Sequence, residues 1–348
     1  MSPNDEIRVG VVGLGLGRWH VESFSQVPGC RVSAVCDISQ ERLASVADEF
    51  GVEHRFTDYA ALCASDAVDA VSVCVPNSLH AEVAVAAFGN GKHCIVEKPL
   101  ADTVAHAEAI ERAHRDAGTV GMTAMKLRFG REAAFLRRQV DDGALGQVYY
   151  GWSTYLRGLD GVPMRPTFTR KSISGGGAII DNGVHLLDLT WYLMGCPDPV
   201  SVTGMTDLKY APIGAANRDR IEKAGGADTF DVETFGCGMV RFANGAVAML
   251  DNGWSTFVAE PTFSVRVLGT SGGATLLPFS FVREENGAAV SVAPDPATLP
   301  EVSQFAHFIQ CVRAGESPLS TIEQGVRMVR MLDALYESDR MGKSALTR

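Results

Sequence analysis

The first third of the chain alternates short apolar runs with longer stretches whose apolar residues recur at helical spacing. The runs predict buried strands, which lie at Ile7–Val12, Val32–Cys36, Val68–Val75, His93–Val96 and Thr119–Thr123. The amphipathic stretches predict helices at Arg18–Val27, Glu41–Phe50, His80–Phe88 and Val104–Ala117. Strands that alternate with helices are typical of a parallel sheet wound in a right-handed sense. We therefore expect an α/β, Rossmann-type doubly wound domain over residues 1–124.

The remaining residues, 125–348, show a different pattern. A helix near Glu132–Asp142 and a long helix ending near Met194 are followed mainly by strands, with two helices at the end of the chain. The predicted strands are Val148–Tyr155, Val200–Thr206, Glu233–Phe242, Ala246–Trp254, Thr262–Leu268 and Ala274–Phe281. Turn signals such as Asn244-Gly245 favour antiparallel neighbours. We expect an α+β domain with a large, mostly antiparallel open sheet, and a polar surface loop at 211–229.

Composition narrows the class of protein. The chain has 348 residues, which suggests two domains, and a formal charge of -10. Nucleic-acid binding requires clustered Lys and Arg, so the acidic balance argues against it. No apolar stretch is long enough to span a bilayer, and the eight cysteines are scattered singly without the spacing of a metal site. We expect a cytoplasmic protein without a metal or membrane partner.

A glycine turn follows the first predicted strand. Gly13 and Gly15 fit the first two positions of the dinucleotide motif G-x-G-x-x-G, but the third falls on Arg18, and Gly17 lies one residue early. Asp37 follows the second strand, 24 residues after Gly13, where a carboxylate accepts bonds from an adenosine ribose and disfavours the phosphate of NADP. The pattern predicts NAD as cofactor, with NADP less favoured; a helix-capping role for Asp37 remains open.

Three further motifs carry a family resemblance. They are Val75-Pro-Asn-Ser-Leu-His80, Glu97-Lys-Pro-Leu100 and Gly175-Gly-Gly-Ala-Ile-Ile-Asp-Asn-Gly-Val-His-Leu-Leu-Asp188. With them, the chain resembles the glucose-fructose oxidoreductase and inositol dehydrogenase family over nearly its whole length. The resemblance implies an active site between a nucleotide-binding domain and a C-terminal domain, and a homodimer or homotetramer. It implies Lys98, Asp181 and His185 as the catalytic residues.

Hydride transfer from a secondary alcohol needs a base for the hydroxyl proton and positive charge for the developing alkoxide. Asp181 and His185 are four residues apart on a predicted helix, so Asp181 can orient an imidazole that takes the proton. Lys98 follows a strand, at the edge where parallel sheets bind ligands, and its ammonium can stabilise the alkoxide. A plain surface pair or, less favoured, a two-ligand metal pair at Asp181 and His185 remains open.

The cofactor and substrate contacts follow from these motifs. We expect the cofactor to contact Gly13, Gly15, Leu16, Gly17, Arg18, Asp37, Pro76, Asn77, His80, Glu97 and Lys98. The resemblance implies that Arg128 lines the substrate cleft. We also expect the substrate to contact Tyr155 and Arg165, on the stretch that leads to the three glycines, and Asn182. Glu97 can instead support the structure, His80 can instead be a satisfied core histidine, and Trp254 can stack on a sugar or fill the core.

The sequence thus predicts an NAD(H)-dependent oxidoreductase that moves a hydride between the nicotinamide and a secondary alcohol or ketone carbon. A sugar, cyclitol or amino sugar is the expected substrate. Two alternatives stay open: a catalytically inactive regulator that senses the dinucleotide or a sugar, and a dihydrodiol-type dehydrogenase.

Overall fold

A computed structural model of the chain describes residues 6–159, 161–207, 219, 222–223, 230–294, 299 and 302–347. The chain forms two compact units. The first comprises Met1–Met125 and Val302–Val329, and the second comprises Lys126–Glu301 and Arg330–Arg348. Most of the polar interval 211–229 lies outside the described residues, so its prediction as a loop is not assessed.

The first unit contains a six-stranded parallel sheet in the order β3-β2-β1-β4-β5-β6. Its strands are β1 (Ile7–Val12), β2 (Cys30–Cys36), β3 (His54–Phe56), β4 (Ala70–Val73), β5 (His93–Val96) and β6 (Gly121–Thr123). The doubly wound parallel sheet predicted from the alternating pattern is confirmed. The sequence missed β3, because three residues with half-exposed His54 and Phe56 give no apolar run.

The helices of this part are α1 (Leu14–Ser25), α2 (Gln40–Phe50), α3 (Tyr59–Ala64), α4 (His80–Gly89) and α5 (Val104–Ala117). Side-chain caps fix where three of them begin: Ser39 accepts a bond from the Arg42 amide, Asp58 accepts one from the Ala60 amide, and Thr103 accepts one from the His106 amide. The first helix begins at Leu14, four residues before the predicted start, because its apolar face already includes Leu14 and Gly17.

The second unit contains a nine-stranded sheet in the order β14-β13-β12-β11-β7-β10-β9-β8-β15. Its strands are β7 (Val148–Leu156), β8 (Pro199–Asp207), β9 (Phe235–Phe242), β10 (Val247–Gly253), β11 (Thr262–Gly269), β12 (Gly272–Leu276), β13 (Ser280–Glu285), β14 (Ala288–Val292) and β15 (Ala345–Leu346). Neighbours are antiparallel except β7 and β10, which confirms the mostly antiparallel sheet.

One predicted strand, 274–281, is wrong. The structure divides it into β12 and β13, because Leu277 adopts a left-handed backbone (φ 60°) and Pro278 has no N–H for a ladder bond. The alternation of burial along β10, where Ala248 and Leu250 are buried, shows that one face of the sheet packs inward.

Four α-helices that the structure describes in the second unit lie before β8. They are α6 (Arg131–Asp141), α7 (Pro166–Thr169), α8 (Lys171–Ser174) and α9 (Val184–Leu193). A π-helical segment, Ile179–Gly183, runs directly into α9, so the long predicted helix is a π-helix joined to an α-helix. Helix α9 contacts β7, β10 and β11 and buries nearly all of its residues.

The chain returns to the first unit through α10 (Gln304–Ala314) and the start of α11 (Ile322–Met341). Ile322, Val326 and Val329 are buried in one apolar cluster with residues of β4 and β5 such as Val73 and Val96. The expected division at residue 124 therefore needs a correction, because it assigned all later residues to the second domain. Helical periodicity cannot show which core a terminal helix joins.

Candidate active site

The turn between β1 and α1 is built around Gly13. Its backbone is left-handed (φ 87°), and an added Cβ would lie 2.7 Å from the carbonyl oxygen of Cys74. Its amide donates to the carbonyl of Cys36, 2.8 Å away. Strand β1, the end of β2 and the end of β4 therefore meet at a residue that only glycine suits.

The first amides of α1 determine what this turn can bind. The Leu14 amide donates to Asp37 Oδ2 at 2.8 Å, and the Gly17 amide returns to the carbonyl of Gly13 at 3.1 Å. The amides of Gly15 and Leu16 lie between these two on exposed residues, and a Cβ added at Gly15 would meet no atom within 4 Å. A helix N-terminus of this kind suits an anionic phosphate, so the turn fits a dinucleotide.

The one-residue shift in the glycine motif has a structural explanation. Gly17 is buried in the first turn of α1, where an added Cβ would lie 2.9 Å from Val11 Cγ1. It therefore permits close packing of helix on strand, the role of the third glycine. Arg18, expected at the cofactor, instead pairs its guanidinium with Glu49 and lies over the ring of Phe50, so its side chain is engaged with protein.

Asp37 is buried beneath this turn. Its carboxylate accepts bonds from the Leu14 amide, the Ser39 amide (2.8 Å) and Arg42 Nη1 (3.0 Å). The capping role left open for Asp37 falls instead to Ser39. The carboxylate stands after β2, as predicted, and Arg42 partly offsets its charge.

His80 joins two of the sequence motifs. Its Nδ1 lies 2.8 Å from the carbonyl oxygen of Pro99, and its Nε2 lies 3.0 Å from that of Val75. The ring is buried, and burial lowers its pKa. His80 therefore holds the segment with Pro76 and Asn77 to the Glu-Lys-Pro segment, which agrees with the core-histidine interpretation.

Glu97 points into the core, whereas its neighbour Lys98 is half-buried. Glu97 Oε1 lies 3.0 Å from His20 Nε2, and Oε2 accepts the Lys98 amide at 3.1 Å. His20 Nδ1 lies 2.8 Å from Ser72 Oγ. Glu97 therefore belongs to a buried polar network that supports the backbone of Lys98, which agrees with the structural role left open for it.

Asp181 and Asn182 lie in the π-helical segment of the second unit, one turn before His185. Asp181 Oδ2 accepts two bonds, from Trp254 Nε1 at 3.0 Å and from Asn182 Nδ2 at 2.9 Å. Asp181, Asn182 and His185 are each half-buried. π-helical turns of this kind occur frequently at functional sites.

A buried carboxylate fixes the start of this segment. Glu233 accepts bonds from the amides of Gly177 (2.9 Å) and Ile179 (3.0 Å) and from the Tyr336 hydroxyl (2.8 Å). Burial raises its pKa despite these donors. An added Cβ at Gly177 would lie 1.9 Å from the Glu233 carbonyl oxygen. Gly177 is therefore needed for protein packing.

Of the expected substrate residues, Arg128 needs a correction. Its guanidinium has no exposed surface and makes two bonds to Asp188, at 2.9 and 2.6 Å, above the ring of Tyr192. The structure therefore assigns it a packing role. Tyr155 is half-buried edge-on to Phe263, and Arg165 is exposed before α7.

Sequence reasoning did not identify the roles of His20, Glu233 and Trp254. A detectable signal exists for His20, because it shares the apolar face of α1 with Gly17 and Phe24, where a polar ring needs partners. Glu233 and Trp254 reach their partners across 56 and 73 residues, and no local pattern shows such contacts.

Within the described residues, no group of three or more His, Cys, Asp or Glu side chains is arranged to hold a metal ion. The helices that the structure describes include none that is long and apolar enough to cross a membrane.

The fold and the turn define the class of protein: a two-unit oxidoreductase with a Rossmann-type nucleotide-binding unit. Residues 7–124 match the oxidoreductase family with an NAD-binding Rossmann fold, and residues 134–275 match the GFO/IDH/MocA C-terminal domain. The chain belongs to this family, that of the glucose-fructose oxidoreductases and inositol dehydrogenases, which confirms the resemblance found in the sequence.

Two relatives and one structure illustrate the likeness. The chain is 29% identical over 344 residues to a D-glucoside 3-dehydrogenase of Escherichia coli, covering 97% of this chain and 96% of the relative. It is 28% identical to a D-xylose 1-dehydrogenase (NADP(+)) of Haloferax volcanii, covering 96% and 97%. A levoglucosan dehydrogenase in complex with NADH and levoglucosan has a TM-score of 0.83 at 24% identity, covering 98% and 99%, a likeness of fold.

Proposed function

We propose that this protein oxidises a secondary alcohol of a sugar or cyclitol, or reduces the corresponding ketone, with NAD(H). The observation that carries the proposal is the position of Lys98. It follows β5 at the carboxyl edge of the parallel sheet, where ligands of such sheets bind, in the unit whose first-turn amides suit a dinucleotide.

Each candidate residue has a defined role in the reaction. Bound NAD supplies the hydride acceptor. His185 takes the hydroxyl proton as the alcohol becomes a ketone, and Asp181 orients its imidazole. The Lys98 ammonium stabilises the developing alkoxide, and Glu97 holds the Lys98 backbone through its amide. Lys98 belongs to the first unit, and Asp181 and His185 belong to the second.

NAD is the proposed cofactor over NADP. The Asp37 carboxylate beside the turn accepts ribose hydroxyls and repels an added phosphate. Arg42 donates to the same carboxylate and weakens that repulsion, and one relative is named as an NADP enzyme. We therefore expect a preference for NAD with measurable use of NADP.

The substrate class rests on the relatives. They are named for glucosides, xylose and inositols, and these compounds share a ring secondary alcohol that the proposed proton and hydride chemistry requires. An amino sugar remains within the proposal. A sensing regulator is the second candidate, and the absence of turnover with retained NADH binding would favour it.

We also propose that the protein is a homo-oligomer of the cytoplasm. The outward face of the second sheet presents half-buried Trp152 and Met249, with Arg266 over the indole of Trp152. A second copy of the chain would cover these positions. Light scattering after size-exclusion chromatography tests the proposal, and a monomer at micromolar concentration contradicts it.

The enzyme assignment is tested with levoglucosan, methyl D-glucosides, D-xylose, myo-inositol and scyllo-inositol, each with NAD or NADP, by following nicotinamide absorbance. Lys98→Met should lower turnover by roughly a hundredfold or more, because the alkoxide loses its positive partner, while NADH affinity stays within about twofold. Exposed Lys343→Met is the control. Wild-type turnover in Lys98→Met contradicts the role of Lys98.

A further inference from the structure

Trp254 connects the candidate catalytic carboxylate to the sheet of the second unit. Its indole Nε1 donates to Asp181 Oδ2 at 3.0 Å, although the two residues are 73 positions apart. The second donor to this oxygen, Asn182, belongs to the same π-helical segment and moves with it. Trp254 therefore holds Asp181 from outside that segment.

The indole has little freedom to turn. Trp254 has no exposed surface, and its ring packs in a cluster with Val162, Ala178 and Val232. Its amide donates to the carbonyl of Thr234 at 2.8 Å. A rigid ring held in this way directs its single N–H along one line, and that line ends at the Asp181 carboxylate.

The end of β10 holds the same segment at a second point. Asn252 is buried and donates from Nδ2 to the carbonyl of Ala178 at 2.5 Å. Glu233 holds the amides of Gly177 and Ile179. These contacts fix the backbone before Asp181, whereas the contact from Trp254 fixes the carboxylate itself.

We propose that Trp254 is a positioning residue for catalysis: its indole N–H holds the Asp181 carboxylate in the orientation that directs the imidazole of His185. This inference rests on the proposed function. The sequence left two other roles open for Trp254, filling the core and stacking on a sugar. Neither role needs the N–H to point in a particular direction, so experiments can separate them from the positioning role.

Kinetics provide the first test, with the panel substrate that is turned over fastest. Trp254→Phe should lower kcat/KM roughly ten- to a hundredfold, the effect of one hydrogen bond to a charged group, and leave NADH affinity within about twofold. Trp191→Phe is a matched control, because Trp191 is equally buried but donates to the main-chain carbonyl of Pro197 at 2.7 Å. It should stay within about threefold of wild type.

A double substitution separates positioning from general damage. In an Asp181→Ala background, Trp254→Phe should lower the residual single-turnover rate by less than about twofold, because the acceptor is already gone. A penalty that persists at full size in that background overturns the inference, as does a Trp254→Phe enzyme with wild-type kcat/KM. If Trp254→Phe does not fold, benzothienylalanine at 254 keeps the ring and removes only the N–H.

Nuclear magnetic resonance tests the contact without activity. The chain has four tryptophans, so indole-15N labelling gives four assignable N–H signals. Asp181→Ala should move the Trp254 signal and leave that of Trp191 in place; an unmoved Trp254 signal overturns the inference. Full turnover in Asp181→Ala together with a moved signal would refute the proposed role of Asp181 in the reaction, and with it the positioning role of Trp254.

Discussion

At the scale of single residues, His20 shows how a buried histidine becomes charged. Burial disfavours the imidazolium, but Cys74 and Glu97 favour it and together raise the pKa of His20 to about 10. The pKa of Glu97 is lowered in turn: burial opposes this shift, and His20 and then Lys98 produce it. Removing one partner would leave an uncompensated buried charge beside the amide of Lys98.

The stability of the folded chain should therefore depend on pH through His20. Because its pKa in the folded chain exceeds the ordinary 6.5, its contribution is complete below pH 6.5 and is lost as pH rises through about 10. His20→Gln should cost about 3 kcal/mol at pH 6.5 and flatten the fall in unfolding free energy between pH 6.5 and 10.

Urea unfolding across that pH range measures this effect. His106→Gln is the control, since His106 is half-exposed and pairs with Asp102 at the surface. Equal slopes for wild type and His20→Gln would show that His20 is not charged in the folded protein.

At the scale of elements, the π-helix before α9 depends on groups outside it. The amides of Gly177 and Ile179 have no partners within a helix that begins there, and the Glu233 carboxylate accepts both. The hydroxyl of Tyr336, in α11, also donates a hydrogen bond to that carboxylate. The segment with Asp181 is thus set by Glu233, which precedes β9, by the end of β10 and by α11.

Gly177→Ala should disrupt this arrangement. The new Cβ would meet the backbone carbonyl of Glu233, which cannot rotate away as a side chain can, so a loss of roughly 2 to 4 kcal/mol is expected. Gly158→Ala, which meets no atom within 4 Å, should cost less than about 1 kcal/mol. Comparable denaturation midpoints for the two variants would contradict the packing role of Gly177.

At the scale of the whole molecule, each unit combines two separate stretches of the chain. The amide of Thr123 in β6 donates to the carbonyl of Ser320 at 3.0 Å, and Ile322 is fully buried in the cluster below β4 and β5. The apolar core of the nucleotide-binding unit therefore includes residues that come after position 302 in the chain.

Ile322→Ala should destabilise the first unit by about 2 to 5 kcal/mol, because it removes buried methyl groups from that core. Hydrogen exchange should accelerate in peptides from 93–124, two hundred residues earlier in the chain. Half-exposed Val282→Ala should leave those peptides unchanged. Exchange that is unaltered at 93–124 would refute the dependence of this core on α11.

Local sequence patterns predicted where helices and strands lie better than they predicted which of them contact each other. The bounds of β1, β5 and α5 are those predicted, because apolar runs and helical periodicity are properties of neighbouring residues. The prediction of one strand at 274–281 was wrong, because the apolar pattern continues across the turn at Leu277-Pro278.

The sequence by itself determined the two kinds of sheet, the glycine turn, the carboxylate after β2 and the motifs that place the chain in its family. Tertiary structure decided which side chains meet: Arg128 with Asp188 across 60 residues, Trp254 with Asp181 across 73, and His20 with Glu97 across 77. The physical reason is the distance along the chain over which each kind of signal acts. Periodicity records the surroundings of each residue along the chain, whereas a buried polar group finds its partner only when distant segments pack together.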